Sequence, residues 1–451
     1  MMLPLLGGGP SIWNTAMMLF QALLLAGYAY AHLLGRLTTL PRQILTHGLV
    51  LVIGLAFLPI AVDHVSEPPA GRNPVFWFVS ASVLSVGWPF FALSASAPLL
   101  QAWFSNGRHP SATDPYFLYA ASNLGSLMAL LSFPLALEPT VSLTGQGKLW
   151  AAGYLLLLAL LLTSCAMLLP SAATRPRVIP EIIKPNDSII SWRQRFTWVC
   201  LAFVPSSLLL GVTSYITTDV GSAPLLWVIP LSLYLITFTI AFGRQPLMAR
   251  RWAPRAQEMG IVLIFINALF AANGLFLLLT LLIHLSVFFL TGLRFHTELA
   301  HQRPDVSRLT EFYFCLSVGG AAGGVFNALI APLIFSGPYE YYIVLIASCA
   351  LRLLFRGESA PNWNDILLPA LSSMAIAALL HFTNLTKFIG VPGSFTLLVF
   401  VRPDHLLVSG STDKICACIP IWLEQVAQPP REAAGHGWRR RARCLSLADR
   451  R

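Results

Sequence analysis

The sequence predicts an all-α integral membrane protein with about twelve transmembrane helices. Charged residues make up only 11% of its 451 residues, and hydrophobic residues make up 56%. A soluble protein carries roughly 25% charged residues, so lipid must replace water around most of this chain. The apolar stretches recur along the whole length, and a single N-terminal secretory signal therefore does not explain them.

The individual helices are predicted from apolar runs of about 17 to 25 residues, the length that crosses the hydrocarbon core of a bilayer. In the first half these runs lie near 11–34, 44–62, 75–97, 115–137 and 149–169. In the second half they lie near 198–217, 223–243, 257–272, 275–297, 310–335 and 339–356, and a further run lies near 366–383. Pro89 and Pro98 predict that the third helix is kinked or broken and continues to Phe104.

The distribution of Lys and Arg predicts how the helices are oriented. The rich loops alternate along the chain, with two such residues in 35–43, five in 170–197, four in 244–256 and two in 298–309. Positively charged loops lie on the cytoplasmic side of a membrane. We therefore expect a multi-pass protein of the cell inner membrane with these loops in the cytoplasm. This orientation places Met1 outside, so we expect one N-terminal helix of the first half to be missing.

The net charge of +10 does not indicate a nucleic-acid partner. The last 21 residues contain seven arginines against Glu432 and Asp449, and they supply half of that charge. The remaining positive charge lies in short loops between helices, which is typical of a membrane protein. Cys416 and Cys418 are one residue apart, which matches neither a redox nor a zinc-site spacing. We predict no nucleic-acid partner, no metal site and no cofactor.

An internal repeat predicts two related halves. Three pairs of segments recur: Pro10-Ser11-Ile12-Trp13 with Pro224-Leu225-Leu226-Trp227, Gly125-Ser126 and Pro134-Leu135 with Gly323-Gly324 and Pro332-Leu333, and Asp114-Pro115-Tyr116-Phe117 with Glu311-Phe312-Tyr313-Phe314. Paired half-bundles are common among transporters, and this pattern resembles the major-facilitator arrangement. The predicted units are a first transmembrane half (1–170), a cytoplasmic linker (171–197), a second half (198–356), an extra helix (357–390) and an atypical basic tail (391–451), which suggests a frameshift.

Several segments resemble the membrane portion of bacterial proteins in which a transporter-like part is fused to a spermidine synthase-like part. These segments are Leu3–Thr15, Phe20–His32, Ser94–Gln101, Asp114–Ser126, Pro205–Thr213, Thr217–Val220 and Leu309–Tyr313. Members of that family continue into a Rossmann-like domain that binds an S-adenosylmethionine-type nucleotide. The 391–451 tail is too short for such a domain, because each βαβ unit takes roughly 30 residues.

The resemblance implies that this chain is the membrane module of such a fusion protein, without the catalytic domain and not itself an enzyme. Two alternatives remain open. One is a secondary transporter of a small solute, and the other is a membrane scaffold for a soluble aminopropyltransferase-like partner. A polyamine substrate is disfavoured, because few acidic residues are available in the predicted helices to bind a polycation.

Polar residues inside membrane helices are costly and are therefore candidates for a functional site. The candidate intramembrane polar site consists of Gln21, Gln101, Asn123, Asp219, His284 and Asn327, and Asn14 and Asn267 share this character. Alternatively, the amides bond neighbouring helices. His284 could shuttle protons or pack as a neutral group.

Residues near the predicted helix ends have simpler interpretations. Asp114, Asp219 and Glu311 are interpreted as groups that interact with helix N-termini. His296 and His301 are interpreted as solvated or as neighbours of lipid headgroups.

The glycine-rich segment around Gly319, Gly320, Gly323 and Gly324 is interpreted as a helix-packing surface. A nucleotide-binding loop would follow a strand, whereas these glycines lie inside an apolar run. Small residues four apart allow two membrane helices to approach closely.

Overall fold

The protein is an all-α membrane protein, as its composition predicts. The computed structural model describes residues 10–60, 74–107, 109–173, 190–217, 226–243, 256–257, 259–261, 263–264, 277–335, 337 and 339–355. Within this part of the chain all regular elements are helical, and eight helices are long and apolar enough to cross a membrane. The total of about twelve transmembrane helices is still a prediction from the sequence. The predicted helix near 366–383 and the tail 391–451 lie outside the described residues.

The helices of the first half follow the predicted apolar runs. They are α1 (Pro10–Leu37), α2 (Leu40–Gly54), α3 (Pro74–Ser82), α4 (Trp88–Ser105), α5 (Phe117–Ser132), α6 (Glu138–Thr140) and α7 (Leu143–Ala173). A π-helical turn, Val83–Gly87, joins α3 to α4 just before Pro89. Proline lacks an N–H group and its ring clashes with the carbonyl four residues earlier, so a wider turn relieves the helix there. Pro98 lies inside α4.

The second half contains α8 (Trp192–Tyr215), α9 (Val228–Ala241), α10 (Leu277–His301), α11 (Leu309–Val325), α12 (Ala331–Ile334) and α13 (Tyr339–Phe355). Helix α8 begins six residues before the predicted start at 198. Its cap is Ser191, whose hydroxyl accepts a hydrogen bond from the Gln194 N–H over 3.2 Å. The apolar criterion missed this first turn, because Arg193 and Arg195 lie in it.

Helix α11 lies at the centre of the described bundle. It packs against α8 and α1, and α1 packs in turn against α4. Helix α5 packs against α9, and α10 packs against both α8 and α9. The contacts α1–α11 and α5–α9 therefore join helices from the two predicted halves.

The outer surface is apolar where the bundle would meet lipid. Helix α7 exposes more than half of the surface of each of Leu155, Leu156, Leu160 and Leu162. Helix α2 likewise exposes Leu45 and Leu49. A row of exposed leucines on a long helix is unfavourable in water and suits a hydrocarbon environment.

Arginines gather at one end of the bundle, here named the arginine-rich end. It is the end at which α1, α4 and α10 finish and α5, α8 and α11 begin. The hydroxyl of Tyr116 donates a hydrogen bond to the Pro304 carbonyl over 2.8 Å. The indole of Trp198 donates one to the Gln302 carbonyl over 3.1 Å. The first bond joins the loops before α5 and α11, and the second joins α8 to the loop before α11.

Candidate functional site

Helix α1 presents one face with a regular seven-residue spacing to the second half. Asn14, Gln21, Tyr28 and Gly35 occupy this face, since seven residues make about two helical turns. The amide of Asn14 donates to the Ser214 hydroxyl of α8 over 3.4 Å. The seam between α1 and the second half is thus partly polar.

Gln21 belongs to the same polar seam. Its amide donates to the Ser206 hydroxyl over 3.1 Å, and that hydroxyl donates to the Gly320 carbonyl over 2.9 Å. On the neighbouring turn, the Asn327 amide donates to the Ser207 hydroxyl over 2.7 Å. Gln21 and Asn327 therefore form hydrogen bonds to neighbouring helices, which is the structural alternative considered for the amides in the sequence analysis.

The four glycines of α11 face different surroundings. A Cβ on Gly319 would lie 2.3 Å from the Val199 carbonyl oxygen of α8, and one on Gly323 would lie 2.9 Å from the Ser207 nitrogen. A Cβ on Gly324 would overlap the Gln21 side chain, whereas one on Gly320 would meet no atom within 4 Å. Three of the four glycines are therefore positioned where α11 approaches its neighbours closely.

A group of five tyrosines, named the tyrosine cluster, lies where the two halves meet. Its members come from α1, the loop before α5, α5, α9 and α11, and they are Tyr28, Tyr116, Tyr119, Tyr234 and Tyr313. The Tyr313 ring stacks on Tyr119 at a centroid distance of 4.9 Å and lies 6.1 Å from Tyr116 and 6.3 Å from Tyr28. Phe238 lies between Tyr119 and Tyr234, at 5.4 Å and 5.1 Å.

Gln101 is the predicted site residue that the structure places at the tyrosine cluster. The Tyr313 hydroxyl donates a hydrogen bond to Gln101 Oε1 over 2.6 Å. Both residues are buried, with 1% and 3% of their surface exposed. Asn123 lies one turn beyond Tyr119 and donates its amide N–H to the Tyr119 carbonyl over 2.8 Å.

The cluster combines aromatic faces with hydroxyl groups. The hydroxyls of Tyr313 and Tyr116 have partners within the protein. Within the described residues, no hydrogen bond uses the hydroxyls of Tyr28 or Tyr234. The cluster can therefore stack against a flat solute and offer it hydroxyl donors and acceptors. Sequence reasoning missed it, because the tyrosines are far apart along the chain.

Two ion-pair groups lie at the arginine-rich end. The Arg195 guanidinium contacts Glu311 at 2.7 Å, and Arg308 contacts the other carboxylate oxygen at 3.3 Å. The Arg303 guanidinium contacts Asp114 at 2.9 Å. Both acids were interpreted as helix-end groups. Glu311 does lie in the first turn of α11, and both acids also pair with arginines. Arg195 and Arg303 are 116 and 189 residues away in sequence, beyond the reach of a local pattern.

Tyr116 connects the tyrosine cluster to the second of these ion-pair groups. The Arg303 guanidinium carbon lies 5.2 Å from the Tyr116 ring centroid, a cation–π arrangement. Burial raises the pKa of the Tyr116 phenol above its ordinary value. Tyr116 is therefore a neutral hydrogen-bond donor to Pro304 at neutral pH.

His284 lies apart from the tyrosine cluster. Its Nδ1 is 3.1 Å from the Tyr341 hydroxyl, and its ring stacks on Tyr215 at 4.3 Å. With only 3% of its surface exposed, it forms part of the packing between α8, α10 and α13.

His296 corrects an interpretation from the sequence. It is fully buried, whereas a solvated or headgroup position was expected. Its Nδ1 lies 2.8 Å from the Thr237 hydroxyl, and its ring stacks on Phe238 at 3.6 Å. The residue lies more than one turn inside α10, where α9 covers it. His301, at the helix end, is exposed as expected.

Asp219 and Asn267 lie outside the described residues. Among the residues that are described, no three His, Cys, Asp or Glu side chains group together as a metal site would require. A comparison of the chain with protein-family models and with curated proteins finds no match. The resemblance to the fused spermidine synthase-like family therefore rests on the segments quoted above.

Proposed function

We propose that this protein is a membrane carrier for a small solute and that the tyrosine cluster is its solute site. The supporting observation is the buried hydrogen bond between Tyr313 and Gln101, which lies inside a group of tyrosines drawn from both halves. Carriers built from two half-bundles bind their solutes near the middle of the membrane, at the junction of the halves. The cluster lies where the two predicted halves meet, about one helical turn inside the arginine-rich end.

The contacts at the arginine-rich end support a carrier that opens at this end. Among the described residues, three hydrogen-bonded contacts join the halves there: Arg303 with Asp114, Tyr116 with Pro304, and His32 with Thr310. Each is a single bond, and exposed ion pairs contribute only about 0–1 kcal/mol. Rocking of the halves to open this end would break these contacts and, about one turn further inside, the Tyr313–Gln101 hydrogen bond.

The chemistry of the cluster favours an uncharged or weakly cationic solute with a flat or apolar part. Tyrosine rings bind such groups by stacking or by cation–π contact. None of the described hydrogen bonds of the five tyrosines involves a carboxylate. A polyamine would need several carboxylates to replace its hydration, and the cluster does not supply them.

The test is uptake by vesicles reconstituted with the full chain, measured by mass spectrometry on a mixed panel of small solutes. We expect at least one solute to be taken up saturably, and Tyr313→Phe and Gln101→Leu to abolish most of that uptake. The matched control is Tyr154→Phe. Tyr154 is also buried and donates one hydrogen bond, to the Leu51 carbonyl, but it belongs to a separate core in the first half.

The control should retain uptake although it loses the same chemical group. Equal losses in Tyr154→Phe and Tyr313→Phe would show that general destabilisation explains the effect. Unchanged flux of every solute in the panel would remove the carrier proposal.

A second proposal is that the chain is the membrane module, or a scaffold, for a spermidine synthase-like domain or protein. One observation favours it: residues from three family-like segments meet in the tyrosine cluster, namely Gln101, Tyr116 and Tyr313. Purification of the full chain from its native inner membrane should then co-purify a soluble aminopropyltransferase-like protein. Reading the coding DNA beyond codon 391 in other frames should reveal a Gly-rich strand–loop–helix. Failure of both tests would contradict this proposal.

A further inference from the structure

A polar pocket opens at the arginine-rich end, separate from the tyrosine cluster. Its volume is about 420 Å³, and it lies between the ends of α1 and α4, the start of α2 and the turn that leads into α11. His32 and Arg36 line it from the first half, and Arg308, Thr310 and Glu311 line it from the second. The pocket thus spans the junction of the two halves.

The side chains around this pocket carry a net positive charge. Glu311 is the acid in its lining, and both carboxylate oxygens are already paired, one with Arg195 and the other with Arg308. Arg36 is exposed, and no described residue accepts a hydrogen bond from it. The lining therefore contains two guanidinium groups, those of Arg36 and Arg308, against one carboxylate, and one positive charge remains unbalanced.

The remaining polar groups of the lining can donate hydrogen bonds. The imidazole of His32 is held by the Thr310 hydroxyl, 3.1 Å from Nδ1, and stacks on Phe314 with an interplanar angle of 4°. Its Nε2 has no partner among the described residues. Gln43, by contrast, is engaged, because it accepts a bond from the Trp103 indole and donates one to the Thr38 carbonyl.

We infer that this pocket binds a phosphate group, with Arg36 and Arg308 as its charged ligands. Guanidinium groups pair with phosphate oxygens in a planar, bidentate geometry. The pocket lies at the end of membrane-spanning helices, where basic pockets between helices bind anionic lipid headgroups. Its volume accommodates a phosphate together with a group of the size of glycerol. A phospholipid headgroup and a free phosphate present the same chemistry here.

The test uses the full chain in nanodiscs and follows its thermal unfolding. In one arm, inorganic phosphate is titrated into nanodiscs of phosphatidylcholine at constant ionic strength. In the other arm, phosphatidylglycerol replaces a rising fraction of the phosphatidylcholine. A ligand that binds only the folded state raises the unfolding temperature as its concentration increases.

Arg36→Gln should shift the concentration needed for half of this effect by about tenfold, the factor that one charge-assisted hydrogen bond provides. The half-effect concentration of Arg36→Lys should lie between those of the unmodified chain and Arg36→Gln, because lysine keeps the charge and loses the bidentate geometry. The matched control is Arg42→Gln, which removes an exposed arginine near the same end but outside the pocket. It should behave as the unmodified chain does.

The two arms distinguish the source of the phosphate. A response to inorganic phosphate alone assigns the pocket to a soluble ligand, and a response to phosphatidylglycerol alone assigns it to a lipid headgroup; either supports the inference if Arg36→Gln weakens it. Absence of a response in both arms would overturn the inference. An equal effect of Arg42→Gln and Arg36→Gln would also overturn it, because general surface charge would then be the cause.

Discussion

Tyr313 of α11 donates a hydrogen bond to Gln101 of α4 over 2.6 Å, and this bond joins the two predicted halves in a buried position. A buried amide oxygen without a partner costs more free energy than the same hydrogen bond contributes when it is made. Under the proposed carrier function, the pair would link the relative position of the halves to the binding of a solute in the tyrosine cluster. A solute that binds Gln101 in place of Tyr313 would favour a different arrangement of the halves.

The first prediction concerns the energy of this pair. Tyr313→Phe should lower the free energy of unfolding by about 1–3 kcal/mol, because Gln101 Oε1 then remains buried without a donor. Combining it with Gln101→Leu should recover part of that loss, since the unpaired oxygen is removed as well. Denaturant unfolding of the four proteins of this double-mutant cycle measures the coupling. Strictly additive effects would contradict an interaction between the two side chains.

The second prediction compares the two acids at the arginine-rich end. The Glu311 side chain is 10% exposed and has two arginine partners, whereas that of Asp114 is 55% exposed and has one. We expect Glu311→Gln to destabilise the protein by about 1–3 kcal/mol and Asp114→Asn by less than about 1 kcal/mol.

Salt should distinguish the effect of Glu311→Gln from that of Asp114→Asn. Screening by about 1 M salt should remove the small effect of Asp114→Asn and preserve most of that of Glu311→Gln, because buried pairs are screened less. Thermal unfolding at low and high salt provides the measurement. A larger effect at Asp114 than at Glu311 would contradict the burial that the structure gives them.

The third prediction separates two neighbouring glycines. A Cβ on Gly319 would lie 2.3 Å from the Val199 carbonyl oxygen, a backbone atom that cannot rotate away, whereas Gly320 has open space. Gly319→Ala should therefore destabilise the protein by about 1–3 kcal/mol through overpacking. Gly320→Ala should be neutral or slightly stabilising, because alanine favours the helix by about 1 kcal/mol. Thermal unfolding of both variants in one detergent tests this difference.

The sequence predicted the membrane helices well, because their signal is local. Hydropathy placed α10 within a few residues of Leu277–His301, and the prolines pointed to the irregularity that Val83–Gly87 forms before α4. The start of α8 was misplaced, because the charged Arg193 and Arg195 extend the helix beyond its apolar part. Charged residues lower the hydropathy at a helix end although the helix itself continues through them.

The site was predictable only in part, because its contacts join distant segments. Polarity alone identified Gln101, but Tyr313 is 212 residues away from it. Tyrosine is enriched at the ends of membrane helices and marks no site by itself, so the cluster could not be predicted from composition. His296 was misinterpreted for a related reason. Its place near the end of α10 suggested exposure, while the cover provided by Thr237 and Phe238 depends on how α9 packs.

The fourth prediction distinguishes packing from proton transfer at His284. Its Nδ1 bonds to the Tyr341 hydroxyl, and its ring stacks on Tyr215, so its described contacts are those of a packed side chain. We expect Tyr341→Phe and His284→Gln each to lower the free energy of unfolding by about 1 kcal/mol, the contribution of one hydrogen bond. The double variant should lose little more than either single variant, because both remove the same bond.

Measurements of solute uptake should also show whether His284 only packs. If the residue only packs, the pH profile of solute uptake by His284→Gln vesicles should match that of the unmodified chain, with at most a lower rate. A proton-carrying histidine would instead impose its own titration on the rate, and its removal would flatten the profile around neutral pH. A flattened profile in His284→Gln together with an unchanged profile in Tyr341→Phe would assign a proton-transfer role and contradict the packing role that the contacts indicate.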